Sequence, residues 1–505
     1  MLIQTAEEVA VTVVEEAPKS AAVSLIEGLN GIVWGPPMMA LLLLTGLYLT
    51  VGLRLMSIIR IPYGFKQLFR KRTGDEEEGD VSPFAALMTA LSSTIGTGNI
   101  AGVAAAIAIG GPGAIFWMWM TAILGTATKF SEGVLAVRFR EIDANGNRVG
   151  GPMYYIKNGL GPKWKWLAFT FAIFGMLAAW GTGASIQANS VADALNGTYN
   201  IPPIFTGLVL AAGAAAVIIG GIERIGIVAS GVVPFMALSY FVAGIIVIGM
   251  NIDAVPAAFG AIFKGALGYH QATTGITIGL LMLAMQKGIA RGIFSNEAGQ
   301  GSAPIAHAAA RNKDPVNQGL VAMLGTVIDT LIVCTITALI ILTSGVIEPQ
   351  CYPNPENVKD LFAGVQAAGC DTGAPLTVAA FDASLTNFGK HIVTLGLVVF
   401  GFTTILGWSY YGERCCAFMF GEKSILPYRI SWIVVVFGGA AALALEESIG
   451  NIVNLFWLVA DTLTGLMAAP NLIALLLLSP LVFRMAVHYF ESKKEGKEPD
   501  FDSIV

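Results

Sequence analysis

The 505-residue chain is 55% hydrophobic and only 12% charged, with a mean hydropathy of +0.70. Uncharged windows long enough to cross a bilayer recur along it, which excludes an ordinary soluble protein and indicates a polytopic membrane protein. A net charge of -5 says little without its placement. The lack of a Gly-rich Lys-Ser/Thr phosphate loop argues against an ATP-driven pump, and no nucleic-acid partner is expected.

Residues 1-30 read as an acidic external tail carrying Glu7, Glu8, Glu15 and Glu16. A signal peptide would want a basic start and a cleavage site instead. Charge-poor windows then place span one at 34-58, inside an extra N-terminal unit 31-60. Span two follows at 83-110 and span three at 114-137. These two cannot be one helix: Val81 to Thr128 is uncharged throughout and would be roughly 70 Å long. Gly110-Gly111-Pro112-Gly113 turns the chain between them. Spans four, five and six fall at 166-191, 203-221 and 226-250. Spans seven to ten fall at 274-292, 317-345, 388-412 and 428-446. An apolar stretch at 450-490 comes last, and 491-505 is a tail.

Lysine and arginine set the expected orientation. Arg54, Arg60, Lys66, Arg70, Lys71 and Arg72 follow span one, which makes that loop cytoplasmic and the N-terminus external. The same parity puts Arg138 to Lys165, Arg224, then Arg291, Arg311 and Lys313, then Arg414, Lys423 and Arg429 inside. Two crossings in 450-490 would place Arg484, Lys493, Lys494 and Lys497 outside. One crossing near 468-488, preceded by a half-buried helix at 448-465, keeps them inside. The expectation is therefore eleven spans, with the C-terminus cytoplasmic. The longest external segment, 346-387, holds Cys351 and Cys370 on the oxidising side, either bridged or as two separate thiols.

The chemistry concentrates where helices look broken. Ser92-Ser93-Thr94-Ile95-Gly96-Thr97-Gly98-Asn99 lies about halfway along span two. A helix that unwinds in lipid must satisfy its freed groups with protein, water or a ligand. Amides of Thr97, Gly98 and Asn99 would then attract an anion such as an amino-acid carboxylate. Carbonyls around Ser92 to Ile95 would suit a cation; a glycine-lubricated packing contact is the plainer alternative. A second polar, Gly-rich segment, Lys287 to Ser302, falls five spans later. It is either a second discontinuous helix or a cytoplasmic loop starting at Lys287. Two breaks five spans apart fit a transporter built from inverted repeats, 81-250 and 270-490, with substrate between the breaks.

The stretches GTGNIAGVAAAIAIGGPGAIFWMW, RGIFSNEAGQGSAPIAHAAA, IDTLIVCT and TTILGWSYYGE resemble the hallmarks of the alanine or glycine:cation symporter family. The likeness covers most of the chain, from span one to span ten. It implies an all-α membrane protein of the LeuT-type five-plus-five inverted-repeat fold, with one extra N-terminal helix. It also implies sodium-coupled uptake of alanine and glycine, with sodium as the coupling ion and no cofactor.

Carried onto this chain, the resemblance makes Thr97 and Gly98 backbone ligands of the substrate carboxylate, with Asn99 steadying the break. Gln187 would face the substrate, with Asn189 a weaker candidate. Asn296 would contribute an amide near the amino group, and Trp408 would roof the pocket. For sodium, Ser92 and Ile95 would supply carbonyls and Thr403 and Thr404 hydroxyls, as a hard ion needs oxygens alone. Membrane glutamines, tryptophans and threonines also serve plain packing or bond back to their own helix.

Asp329 is the most isolated charge, about twelve residues into span eight, where an unpaired carboxylate is costly. It could bind a cation or amine, carry a proton, or pair structurally. Glu132 and Lys129 in span three read as a satisfied pair. The rivals to a sodium carrier are a proton-coupled carrier using Asp329, a channel, and a membrane enzyme. The last would need a nucleophile-base pair or metal cluster, and none is visible.

Overall fold

The structure is a computed structural model that describes residues 21-70, 79-270, 273-276, 278-348, 351-353, 361, 370-501 and 504. The acidic tail lies outside the described residues up to residue 20, as do Lys71 and Arg72. Residues 21-30 belong to a helix, Ala21–Val33. The described chain is otherwise helical apart from two short hairpins, at 141-149 and 269-276.

Among the described residues, seven helices are long and apolar enough to cross a membrane. An eighth crossing is span two itself, Pro83–Thr94 plus Gly98–Gly110, bent by 55° at the break. Pro203–Ile218 is a shorter apolar helix. Gly113–Arg138 and Ile278–Asn296, at the third and seventh expected spans, are helices too polar to count among these crossings, so the described residues show seven or eight of the expected eleven. Those two carry more polar groups because protein, not lipid, surrounds them: span three buries Lys129, Ser131 and Glu132.

Residues 450-490 form two helices in line, Glu446–Leu466 and Ala468–Lys494, separated at Met467. Together they are roughly 70 Å long, more than twice the apolar thickness of a bilayer.

Span seven departs from expectation. The helix runs unbroken to Asn296, so Lys287 and Arg291 sit on a helix ahead of the break, not in a basic loop with Arg311 and Lys313. The glycines that suggested a loop are packing contacts. A Cβ on Gly288 would collide with the Ala114 carbonyl of span three, and one on Gly292 with the Thr121 hydroxyl.

The end carrying the basic loops is closed. The Asp80 and Val81 amides donate to the Ala309 carbonyl at 2.9 and 3.1 Å, and the Arg311 amide to the Val81 carbonyl at 2.6 Å. The start of span two is thus stapled to the end of span seven. Arg140 donates to the carbonyls of Ala308 and Ala310. Beside it Arg414 pairs with Asp143 at 3.1 Å and Glu413 at 2.7 Å, and Arg429 with Glu413 at 2.5 Å. Burial alone would raise the Asp143 carboxyl; donors from Asn147 and Asn145 and the Arg414 charge hold it below the usual carboxylate range. At the opposite end Cys351 and Cys370 form a disulfide. Within the expected external loop, helix Gly373–Leu385 packs on span two, where Thr377 Oγ1 donates to the Ile100 carbonyl at 3.2 Å.

Candidate functional site

Span two stops being helical where its sequence loses apolar side chains. Helix Pro83–Thr94 ends on Ile95 in an extended conformation (φ -78°, ψ 98°). A wider π-turn, Gly98–Gly102, restarts it. Asn99 closes the gap: its Oδ1 accepts the Gly96 amide at 2.9 Å. A Cβ on Gly96 would stand 2.6 Å from Thr404 Oγ1, so only glycine lets span nine come this close.

The second break is tighter. After Asn296 the chain takes left-handed conformations at Glu297 (φ 56°), Gly299 (φ 87°) and Gly301 (φ 82°). Such a value at a non-glycine residue is uncommon and marks a constrained site. The turn drives the Glu297 carboxylate, 2% exposed, towards span nine. Its Oε1 accepts Trp408 Nε1–H at 3.0 Å and its Oε2 accepts the Ser302 hydroxyl at 2.5 Å.

Between the two breaks lies a small, partly open cavity. Thr97, Gly98, Gln187, Glu297, Thr404 and Trp408 are among its walls. Gln187 Oε1 accepts the Thr97 hydroxyl at 3.2 Å, and its Nε2 donates to the Thr182 carbonyl at 3.3 Å. Trp408 is 3% exposed and packs on Gly183, where a Cβ would collide with it.

The structure brings Thr97, Gly98, Gln187, Thr404 and Trp408 together on this cavity, and it turns other expected residues elsewhere. Asn99 sits behind the break, its Nδ2 donating to Asp329 Oδ1 at 2.6 Å. Asn296 caps the Ala298 amide with Oδ1 at 3.0 Å and spans Thr121 and Thr330 with Nδ2. It braces the second break and does not line the cavity. Asn189 donates to the Gly439 carbonyl, away from the site.

On the cation side, Thr404 Oγ1 lies 3.4 Å from the Ile95 carbonyl while bonding its own Phe400 carbonyl at 2.9 Å. Ser92 is fully buried, and its hydroxyl is spent on the Thr89 carbonyl. Thr403 points the other way. Its hydroxyl bonds the Val399 and Phe400 carbonyls and approaches the Met236 sulfur at 3.5 Å. Asp329 accepts from Asn99, from Ser295 Oγ at 2.8 Å and from Thr330 Oγ1 at 2.6 Å. It ties the two breaks together beneath the cavity. Lys129 and Glu132 form no ion pair among the described residues; Glu132 Oε1 instead accepts Asn471 Nδ2 at 2.7 Å.

Glu297 is the functional residue that sequence reasoning missed. The available signal was an acid inside the uncharged window from 292 to 310, and an intramembrane acid is a site candidate by default.

The profile of the sodium:alanine symporter family matches residues 19–503. The chain belongs to the sodium:alanine symporter family. Its similarity to the sodium/alanine symporter AgcS of Methanococcus maripaludis is 48% identity, over 94% of this chain and 98% of that protein. It is 36% identical to a Bacillus subtilis protein named "Probable sodium/glutamine symporter GlnT", over 94% of this chain and 91% of that one. Among solved structures, MhsT in complex with L-phenylalanine covers 81% of this chain and 99% of its own, at 12% identity and a TM-score of 0.51. That likeness concerns the fold alone, which is of the LeuT type. Membership of the family makes the chain a cation-coupled amino-acid carrier of the membrane, not an enzyme.

Proposed function

We propose that the carrier couples inward movement of sodium to uptake of alanine, and of glycine, by alternating access. The observation that carries this reading is the meeting of two kinds of polar group in the lining of one small cavity. The unwound Thr97–Gly98 backbone offers amides to a carboxylate. The buried Glu297 offers a carboxylate to an ammonium group. A zwitterion satisfies both at once, and little room remains for its side chain. The family description and the Methanococcus relative's name point to sodium and alanine.

Sodium would sit where the Ile95 carbonyl approaches Thr404, with the Ser92 carbonyl as a further expected ligand, adjacent to the substrate carboxylate. Each ligand then improves the other's site, which is all that coupling requires. The basic loops face the cytoplasm in this reading, with the N-terminus outside and the C-terminus inside. The stapled basic end closes the route inward, and opening it would release the cargo. A proton carried by Asp329 is the weaker reading, because three side-chain donors, from Asn99, Ser295 and Thr330, favour its ionised form.

Uptake of radiolabelled alanine into proteoliposomes, with and without an inward sodium gradient, tests the proposal; sodium-independent uptake would overturn it. Thr404→Val removes a hydroxyl and keeps the volume. It is expected to raise the sodium concentration for half-maximal uptake about tenfold, the worth of one well-placed polar contact. An unchanged sodium dependence would put the ion elsewhere.

A further inference from the structure

One wall of the cavity comes from neither break. Thr464, on helix Glu446–Leu466, lines it beside Thr182 of span four. Their hydroxyls lie 2.9 Å apart, and Thr464 donates onward to the Ala460 carbonyl at 2.8 Å. Thr182 therefore donates to Thr464, and both hydroxyl hydrogens are spent. The approach is close: a Cβ on Gly181 would collide with Ala460, just as one on Gly183 would with Trp408. Neither helix can move inward without repacking.

An α-amino acid presents three groups around its Cα besides hydrogen. With the carboxylate at the first break and the ammonium at Glu297, the Thr182–Thr464 wall is among the surfaces left to meet the side chain. That wall is fixed from behind by the N-terminal helix Ala21–Val33. Asn30 Nδ2 donates to Asp461 Oδ2 at 2.9 Å and to Thr462 Oγ1 at 3.0 Å. Trp34 Nε1 donates to the Asp461 carbonyl at 3.3 Å. A Cβ on Gly465 would collide with Val33. These contacts grip the helical turn that carries Thr464.

We propose that Thr464 sets the side-chain length the carrier accepts, and that Asn30 is a positioning residue that holds Thr464 in place. The substrate class is then α-amino acids whose side chain is no longer than one carbon. This rests on the amino-acid reading of the cavity given above.

The test is the selectivity of the full chain in proteoliposomes, read as α-aminobutyrate uptake relative to alanine uptake. Thr464→Ala opens the wall and is expected to raise this ratio about tenfold, the order one methylene is worth in an apolar pocket. Thr464→Val keeps the volume without the hydroxyl and is expected to leave the ratio near the wild-type value. Asn30→Ala moves the ratio the same way as Thr464→Ala but by less, and Asn30→Gln, which keeps the amide donor, brings it back. A Thr464→Ala ratio within twofold of wild type overturns the proposal. An unmoved ratio in Asn30→Ala removes the positioning role. Where a variant transports too slowly, ligand-induced thermal shifts in detergent give the same ratio from binding. Wild-type protein that ignores alanine altogether counts against the amino-acid reading itself and is recognised before any variant is made.

Discussion

Glu297→Gln is expected to cut sodium-driven alanine uptake about a hundredfold, mainly through a higher KM. The change removes one charge and almost no volume. The amide oxygen still accepts from Trp408 Nε1, and the Ser302 hydroxyl can reverse to accept from the new NH2, so the turn at Glu297 stays satisfied. What disappears is the negative charge facing the substrate ammonium. A hydrogen bond to a charged group contributes about 1.5–3 kcal/mol net, and every 1.4 kcal/mol is about tenfold in affinity. Glu297 is only 2% exposed, so solvent screens the lost attraction poorly. Initial rates over a range of alanine concentrations measure the effect. A KM within threefold of wild type would mean that the ammonium binds elsewhere. Glu297→Asp keeps the charge but withdraws it by one methylene, and should fall between the two.

Which parts of this site the sequence announced follows from what a sequence can encode locally. Gly, Ser, Thr and Asn inside an uncharged window announce a weak helix wherever they fall, so the break at 95-98 was legible. The second break was legible as a polar segment, but its boundaries were not. Lys287 and Arg291 resemble loop residues, and Gly288 and Gly292 resemble turn residues. They lie instead on a helix whose glycines face span three, and only the partner helix reveals that. The misplaced boundary also hid Glu297.

Asn99 and Asn296 have the chemistry of pocket residues, yet an amide works equally well as a brace, and both turn away from the cavity. Thr403 and Thr404 are neighbours about 100° apart around one helix, so only one could face the Ile95 carbonyl. The side chosen depends on how span nine rotates against span two. Thr464 carried no local signal: its role arises where residues far apart in sequence meet, at 30, 182 and 464. The charge pattern, by contrast, is read one loop at a time, and the expectation of eleven spans needed nothing more.

Asp329→Asn is expected to abolish sodium-driven uptake and to lower the thermal midpoint by about 2–5 °C. Asp329 is fully buried and accepts from Asn99 on the first break, Ser295 at the edge of the second, and its own neighbour Thr330. An asparagine there can keep its oxygen towards Asn99 only by presenting its NH2 to Ser295 and Thr330, whose hydroxyls would both have to reverse. A buried donor left facing a donor costs about 1–3 kcal/mol, and more where a charge was the partner. For a chain of 505 residues each kcal/mol lowers the midpoint by about 1 °C. The functional loss should exceed the loss of stability. Asn99 reaches both the Gly96 amide and Asp329, so releasing one end frees the backbone that holds the carboxylate and the sodium. The proton-carrier reading predicts the reverse for the same variant. A neutral residue would imitate the protonated acid, leaving the protein as stable as wild type and competent in alanine counterflow but no longer pH-driven. Thermal midpoint and counterflow, measured on one preparation, decide between a keystone under the two breaks and a proton carrier.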